Sequence, residues 1–296
     1  MLPPNSTIDL IAPAYGCPPE VVEKIIHYIE NLGLTPRIPE GLFGPDLLCA
    51  NSDEQRFLHV KNALLAEDSS AIWAVRGGYG SARILPMLRD IPAPKRPKWL
   101  IGFSDITALH IFLQQQWGWK TLHAPVLSPL VTGRGDPGSE EKLRRLLHGD
   151  SSALTFSPLS PLNASAKNSA ARIKAPITGG NLALIQTSIG TFWQLDARGK
   201  ILLLEDLDEP AYRMDRTLNH LLQAGIFSGV EALLFGDMTG EQQQDIALIP
   251  EVIARFAEHC PFPVVRIEGI GHMRRNDPVI LGETVVVDMG NKTLTY

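Results

Sequence analysis

Short apolar runs that alternate with helical patterns constrain this fold more than any other feature of the sequence. Ala71 to Val75 and Trp99 to Phe103 are continuous apolar runs with the length of strands that are buried on both faces. Each run is followed by a short loop and then by a segment in which apolar residues recur at helical spacing. Strands that alternate with helices predict an α/β domain with a largely parallel sheet flanked by helices.

The composition changes between the two halves of the chain. Residues 157–170 are rich in Ser, Pro, Asn and Ala and hold few large apolar side chains, which is typical of an exposed linker. Further buried strands follow at Ile201 to Leu204 and Ala232 to Phe235. The sequence therefore predicts an N-terminal α/β domain over residues 1–156, a linker over 157–170 and a smaller C-terminal α/β domain over 171–296.

Charge, hydropathy and cysteine usage exclude several classes of protein. The 296 residues carry a formal net charge of −5, which argues against nucleic acid as the main partner. No apolar run approaches the roughly 18 residues that span a bilayer, and Met1 to Thr7 lacks the basic segment of a secretory signal. Cys17, Cys49 and Cys260 have no C-x-x-C spacing. They predict neither a disulfide framework nor a thiolate zinc site, and they favour a reducing cytoplasm.

Ligands of parallel α/β sheets bind beyond the carboxyl ends of the strands, and the first such end is glycine-rich. The sequence Arg76-Gly77-Gly78-Tyr79-Gly80 follows the strand Ala71 to Val75. Paired glycines let backbone N–H groups approach a phosphate or an oxyanion closely. The pattern matches neither the dinucleotide fingerprint nor the P-loop, so a simple tight turn remains the alternative.

The second strand end carries a serine. Gly102-Phe103-Ser104-Asp105 leads from a buried strand directly into a helix. A serine on such a turn presents its hydroxyl above the sheet, with the N–H of Asp105 directed to the same place, as in a nucleophile elbow. The alternative is that Ser104 or Asp105 only caps the helix.

The third strand end is acidic, and one histidine follows a fourth strand. Glu205-Asp206-x-Asp208-Glu209 could orient a histidine, act as a base or hold a metal, or it could be a solvated loop. No histidine pair at ligand spacing supports the metal.

Of the eight histidines, His272 is the first candidate because it lies in the glycine-rich stretch Gly269-Ile270-Gly271-His272, and His123 is a second candidate. The other histidines fall in or beside predicted helices and are expected to be exposed or satisfied: His27, His59, His110, His148, His220 and His259.

Ser104, Glu205 and His272 together are the components of acyl transfer. The imidazole takes the serine proton, the carboxylate fixes the imidazole tautomer, and N–H groups hold the oxyanion. A non-catalytic ligand-binding protein and an acidic metal site at Glu205 to Glu209 are the alternatives from other functional classes.

Five ordered motifs resemble those of the LD-carboxypeptidases of peptidase family S66, whose relatives include the microcin C self-immunity hydrolases. The motifs are RGGYGSARILP, GFSDIT, GGNLALI, LLLEDLDEPAYRMDRTL and GIGH, and the similarity covers nearly the whole chain. The resemblance implies a triad of Ser104, Glu205 and His272. It also implies an oxyanion hole from the N–H of Asp105 and a glycine N–H of the RGG turn, for which we favour Gly78 over Gly77.

The same resemblance implies hydrolysis of the L,D bond to the terminal D-alanine of a peptidoglycan tetrapeptide in cell-wall recycling. It implies no metal or organic cofactor, a cytoplasmic homodimer, a muropeptide substrate, and neither nucleic acid nor membrane as a partner. Hydrolysis of an aminoacyl or peptidyl adenylate on the same triad is the neighbouring alternative. A carboxypeptidase must also bind a free carboxylate, for which Arg76, Arg83 and Arg213 are all candidates.

Overall fold

The computed structural model describes residues 2–150 and 154–296, which form two compact units. The first unit contains residues 1–153 and 276–280, and the second contains residues 154–275 and 281–296. Each unit combines helices with one sheet of the described residues. The α/β class predicted from the sequence is confirmed.

The strands alternate with helices along most of the chain. The strands are β1 (Thr7–Ile11), β2 (Thr35–Arg37), β3 (Ser69–Ala74), β4 (Trp99–Gly102), β5 (Thr121–His123), β6 (Ser160–Pro161), β7 (Arg172–Asn181), β8 (Ile201–Asp206), β9 (Ala232–Met238), β10 (Val264–Arg266), β11 (Val279–Leu281), β12 (Thr284–Asp288) and β13 (Thr293–Thr295). The α-helices are α1 (Pro19–Asn31), α2 (Asp53–Leu65), α3 (Ser81–Leu88), α4 (Thr107–Trp117), α5 (Leu127–Val131), α6 (Pro137–Leu147), α7 (Ala164–Lys167), α8 (Leu182–Ser188), α9 (Ala211–Gln223) and α10 (Gln243–Glu258).

The first sheet has the strand order β11-β5-β4-β3-β1-β2, and β1 to β5 pair in parallel. Without β11 this is the flavodoxin-like doubly wound order, in which the chain direction across the sheet reverses between β1 and β3. Loops beyond the carboxyl ends of strands near this switch point form the usual ligand crevice. The RGG turn follows β3, and the Ser104 turn follows β4 beside it.

The central strands of the first sheet are buried because helices cover both faces. Ile8, Ile72 and Trp73 are all completely inaccessible to solvent. The indole N–H of Trp73 donates to the carbonyl of Pro125 at 2.9 Å, so its one polar group is satisfied. Within residues 2–150 and 154–296, no helix combines the length and the apolar character that crossing a bilayer requires.

The second sheet has the order β13-β12-β7-β8-β9-β10-β6. Strands β7 to β10 are parallel, whereas β12 and β13 form an antiparallel hairpin. All six residues of β8 are buried: Ile201 to Leu204 as their apolar run predicts, and the two acids that follow as well. Glu205 and Asp206 are the last two residues of that strand.

Residues 157–170, predicted to be an exposed linker, carry regular structure within the second unit. Strand β6 pairs antiparallel with β10, and α7 follows it. The Asn163 side chain fixes the segment: its amide donates to three carbonyls and its oxygen accepts two backbone N–H groups, from Ala166 and Val264. The polar composition of this segment does not predict its regular structure, because the segment is held by the hydrogen bonds of one amide side chain and not by large apolar side chains.

Candidate functional site

Ser104 lies on a strained turn at the carboxyl end of β4. Its φ of +64° lies in the left-handed region, which costs a residue with a side chain on the order of 1–3 kcal/mol. The residues Ser104–Ile106 form a 3₁₀ turn that runs directly into α4. Ile106 packs so closely against Gly102 that a Cβ at position 102 would lie only 2.9 Å from the Ile106 side chain, so this turn requires glycine there. Strain of this kind at a strand-to-helix turn is the local geometry of a nucleophile elbow.

The RGG turn after β3 lies directly against the Ser104 side chain. A Cβ built on Gly77 would be 3.0 Å from Ser104 Cβ and 3.2 Å from its Oγ. Gly78 has a φ of +115°, and a Cβ there would overlap the ring of Tyr15. The Tyr15 N–H donates to the Gly77 carbonyl at 3.2 Å, which ties the loop after β1 to this turn. The turn after β3 thus brings glycine backbone close to the serine, and the loop after β1 holds that turn in place.

Replacing Gly77 by Ala tests that close approach without adding backbone strain, since its φ is not positive. We expect Gly77→Ala to lower kcat/KM about 10- to 100-fold, because the new methyl group displaces the Ser104 hydroxyl. The exposed Gly290 is the matched control, since the nearest atom to its added Cβ is 3.5 Å away. Turnover equal to that of the wild type in Gly77→Ala would contradict the role assigned to this contact.

The side chain of Asp105 connects the serine turn to the RGG turn. Asp105 is buried, and its Oδ2 accepts the backbone N–H of Ser81 at 2.7 Å at the start of α3. Burial raises the pKa of this carboxyl, with the hydrogen bonds from Ser81 and Gly80 acting in the opposite direction. The sequence singled out Asp105 for its N–H or as a cap of the following helix. In the structure its carboxyl instead joins the Ser104 turn to the start of α3.

Arg56 makes a further buried polar contact with these loops, which the sequence did not reveal. Its guanidinium is completely buried in α2 and donates to the carbonyls of Pro13 and Gly80, the latter at 3.0 Å. Its other end pairs with Asp53. An arginine in an amphipathic helix is usually solvated, so no local pattern signals this role.

Two histidines of the first unit pack behind the serine turn. His110 is fully buried, and its Nε2 donates to the Gly102 carbonyl at 2.9 Å. Burial lowers the pKa of His110 to about 3, so this ring is neutral. His123, the second candidate from the sequence, is buried and meets the Phe103 ring edge-on at a centroid distance of 5.8 Å. Both histidines therefore support the end of β4 from within the core.

In the second unit, Glu205 and His272 form a hydrogen-bonded pair. The His272 Nδ1 donates to Glu205 Oε2 at 2.7 Å, and the glutamate has no solvent exposure. Burial opposes a charged imidazole, but the charge and hydrogen bond of Glu205, aided by Asp206 and Asp208, outweigh it and raise the pKa of His272. The carboxylate fixes the tautomer with hydrogen on Nδ1, which places the basic lone pair on Nε2.

A glycine loop directs His272 toward Glu205. Gly271 has a φ of +139°, and a Cβ there would lie 3.2 Å from both Glu205 Oε2 and Asp237 Cβ. The Asp237 N–H donates to the Ile270 carbonyl at 2.7 Å, and its Oδ1 accepts the Gly269 N–H at 3.3 Å. These two hydrogen bonds from the end of β9 therefore hold the glycine loop in place. Only glycine allows the chain to pass this close to the carboxylate.

Asp206 explains the GGN motif of β7. Its carboxyl accepts the Asn181 amide at 2.8 Å and the backbone N–H groups of Ala183 and Leu207, each at 2.9 Å. Burial and the neighbouring Glu205 raise the pKa of Asp206 to about 7. This acid therefore joins the end of β8 to the start of α8. Within the described part of the chain, no group of three or more His, Cys, Asp or Glu side chains could hold a metal ion.

The residues predicted from the sequence thus fall into two groups. The first unit gathers Ser104, Asp105, Gly77 and Gly78 in adjoining loops, and the second unit brings Glu205 and His272 into contact. The first group places a hydroxyl beside glycine backbone. The second holds an imidazole against a buried carboxylate.

Two family models match the chain in the same order as these groups. Residues 8–124 match the LD-carboxypeptidase N-terminal domain, and residues 174–287 match the LD-carboxypeptidase C-terminal domain. The first match contains Ser104 and the second contains the other two candidates.

Curated proteins and a solved structure extend the similarity over the whole chain. A Rickettsia conorii protein provisionally named a carboxypeptidase is 41% identical over 279 residues, covering 93% of this chain and 86% of that protein. The murein tetrapeptide carboxypeptidase of Pseudomonas aeruginosa is 31% identical over 303 residues, covering 98% and 95%. The structure of the microcin C7 self-immunity protein MccF in complex with aspartyl sulfamoyl adenosine matches with a TM-score of 0.80 at 18% identity, covering 99% and 96%.

Proposed function

The chain belongs to the LD-carboxypeptidase family, and on that premise we propose that it is a serine hydrolase that removes the terminal D-alanine from peptidoglycan tetrapeptides. The observation that carries the proposal is the 2.7 Å hydrogen bond between His272 Nδ1 and Glu205 Oε2. A buried carboxylate that orients an imidazole is the arrangement that prepares a general base. The strained turn of Ser104 supports the same chemistry from the other unit.

In the proposed mechanism, Ser104 Oγ attacks the carbonyl carbon of the L-configured centre while His272 Nε2 accepts the hydroxyl proton. The carbonyl oxygen becomes an oxyanion that accepts hydrogen bonds from the N–H groups of Asp105 and Gly78. The C–N bond then breaks, and the D-alanine amine leaves with the proton from His272. Water attacks the resulting ester with His272 again as base, which releases the tripeptide acid and restores Ser104.

The substrate assignment is supported by the name of the Pseudomonas relative and tested by product analysis. We expect incubation with a muramoyl tetrapeptide to release free D-alanine, measured by chromatography against a blank without enzyme. A tetrapeptide ending in L-alanine is the matched control, since an L,D-specific site should leave it intact. Equal release from both peptides, or from neither, would contradict the assignment.

Hydrolysis of an aminoacyl adenylate is the second candidate, because the similar microcin C7 protein binds an aspartyl sulfamoyl adenosine. The same nucleophile and base would break an acyl–phosphate bond. Parallel assays with a tetrapeptide and a peptidyl adenylate separate the two reactions. We expect kcat/KM to be higher for the tetrapeptide; the reverse ratio would favour the adenylate reaction.

Arg76 is the best candidate for binding the free carboxylate of the substrate. Arg83 makes a two-pronged pair with Asp53, and Arg213 lies 3.7 Å from Glu209. Arg76 stands on the RGG turn, where its guanidinium stacks 5.6 Å from the Tyr15 ring centroid and donates to the Gly16 carbonyl at 3.2 Å. Neither contact neutralises its charge.

We expect Arg76→Gln to raise KM about 10- to 100-fold with a smaller change in kcat, because a carboxylate contact remote from the scissile bond contributes mainly to binding. Steady-state kinetics with the tetrapeptide measure the split. Arg83→Gln is the matched control and should stay close to wild type. A larger effect in the control than in Arg76→Gln would move the carboxylate contact to Arg83.

We also propose that the enzyme is a homodimer and acts in the cytoplasm, as the family resemblance implies. The three cysteines are all free, which suits a reducing compartment. Light scattering coupled to size-exclusion chromatography tests the first statement, with a mass near twice 32.5 kDa as the expected result.

A further inference from the structure

A cavity of about 600 Å³ lies at the amino ends of the strands of the first sheet. The residues Ser70, Trp99 and Lys120, which line it, lie at the beginning of β3, at the beginning of β4 and just before β5. Ser104 follows the opposite end of β4. Four strand residues at about 3.3 Å each separate the cavity from the serine by roughly 10 Å or more. The cavity is therefore distinct from the candidate catalytic loops of this unit.

The lining of this cavity combines indole rings with cations. Three of the five tryptophans of the chain line it, namely Trp99, Trp117 and Trp119. Trp99 and Trp117 are partly accessible, whereas Trp119 is 4% exposed and packs edge-on against Trp117 at a centroid distance of 5.3 Å. Exposed indoles are uncommon, and flat ring surfaces of this kind stack on aromatic rings or on the apolar face of a sugar.

The charge of the lining is wholly positive. Of the lining residues that the structure describes, four are basic and none is acidic. The chain as a whole has a net charge of −5. One of the four, Lys98, is already used: its ammonium donates to the carbonyls of Ala63 and Ala66 and to Ser69 Oγ. Lys95 and Arg96 are exposed cations that line the cavity, and Lys120 adds a third positive charge to its lining.

The backbone around these groups is restrained before any ligand arrives. Lys95 and Arg96 lie between Pro94 and Pro97, whose rings fix φ on both sides. Gly118 ends α4 with a φ of +67° and sets Trp117 and Trp119 on either side of a fixed turn. A site whose backbone is already restrained loses less entropy on binding.

We propose that this cavity binds a small anion attached to a ring that can stack on an indole, with the anion on Lys95 and Arg96 and the ring on Trp99 and Trp117. Its volume falls in the range of small-molecule sites, roughly 300–1,000 Å³. A nucleoside phosphate and an acidic amino sugar share this chemistry. The site does not depend on the hydrolase function proposed above.

Isothermal titration calorimetry of the full chain with three probes tests the proposal: uridine monophosphate, N-acetylmuramic acid and inorganic phosphate. We expect one of the two ringed probes to bind with one molecule per chain and inorganic phosphate to bind at least about ten-fold more weakly. The probe that binds identifies the source of the ring. Failure of both ringed probes at millimolar concentration, or phosphate binding as tightly as they do, would overturn the proposal.

A double variant locates the binding. Lys95→Gln combined with Arg96→Gln should weaken the ringed probe about ten-fold or more, because charge-assisted hydrogen bonds are lost, and should leave tetrapeptide hydrolysis and the thermal midpoint unchanged. Arg172→Gln with Lys174→Gln, two exposed cations of β7, is the matched control and should bind as the wild type does. Ser104→Ala should also bind normally. Equal weakening in the control, or loss of binding in Ser104→Ala, would place the ligand elsewhere and overturn the proposal.

Discussion

Ser104→Ala is expected to reduce the release of D-alanine from a muramoyl tetrapeptide by about 10⁵-fold or more, because the variant lacks the hydroxyl that we propose forms the acyl-enzyme. The substitution should leave the free energy of unfolding close to that of the wild type. Alanine bears the left-handed φ of +64° no better than serine, and the half-buried Ser104 loses only its hydroxyl. Single-turnover kinetics and thermal denaturation measure the two effects on one sample.

The exposed Ser160 on β6 provides the matched control, and Ser160→Ala should keep full activity. A serine-directed fluorophosphonate should label the wild type at Ser104 and leave Ser104→Ala unlabelled, as intact-protein mass spectrometry would show. Turnover of Ser104→Ala within ten-fold of the wild type would remove Ser104 as the nucleophile. Absence of labelling in the wild type would favour a non-catalytic binding protein on the same scaffold.

The sequence predicts the serine turn well because its signals are local. A continuous apolar run fixes the strand, Gly102 permits the close contact with Ile106, and Ser104 follows immediately. The start of α2 is also specified locally: Ser52, directly before the helix, accepts the Gln55 N–H at 3.3 Å, which is the contact of a helix N-cap. Features specified within a few residues can be inferred from those residues.

Long-range features of the fold carry no such signal. Strand β11 lies late in the chain yet joins the first sheet, and residues 276–280 belong to the first unit. What fixes this segment is the buried Asp277, which accepts Ser139 Oγ at 2.8 Å and Lys142 Nζ at 2.6 Å from α6. These partners are more than 130 residues away. Nothing in the local pattern around Asp277 reveals them.

The candidate site shows the same difference between local features, which the sequence predicts, and long-range contacts, which it does not. The motifs named Ser104, Glu205 and His272, but not the groups that hold them. The Asp105 carboxyl on Ser81, the Arg56 guanidinium on Gly80 and the Asp206 carboxyl on Asn181 are all buried polar contacts between separate elements. Polar residues in loops and helices are exposed by default, so only the folded structure identifies those that are buried and paired.

Glu205→Gln is expected to lower kcat about 10³- to 10⁴-fold, which is less than the loss in Ser104→Ala or in a His272 variant. The amide keeps the shape of the side chain but removes the charge that stabilises the imidazolium.

Because Glu205 also raises the pKa of His272, the variant should have a lower His272 pKa. The base works only when neutral, so wild-type kcat/KM should fall as pH decreases through a midpoint above the ordinary histidine value of 6.5.

The pH profile separates this role from a merely structural one. In Glu205→Gln the acid limb of kcat/KM should move to lower pH, whereas misfolding would reduce the rate at every pH and leave the midpoint in place. Asp208→Asn is the matched control: Asp208 is exposed and raises the pKa of His272 less than Glu205 or Asp206 does, so both rate and midpoint should stay close to wild type. A profile flat from pH 5 to 8 in the wild type, or the same midpoint in Glu205→Gln as in the wild type, would mean that the 2.7 Å pair does not set the base. A midpoint that moves only in Glu205→Gln would tie the proton transfer to this one hydrogen bond.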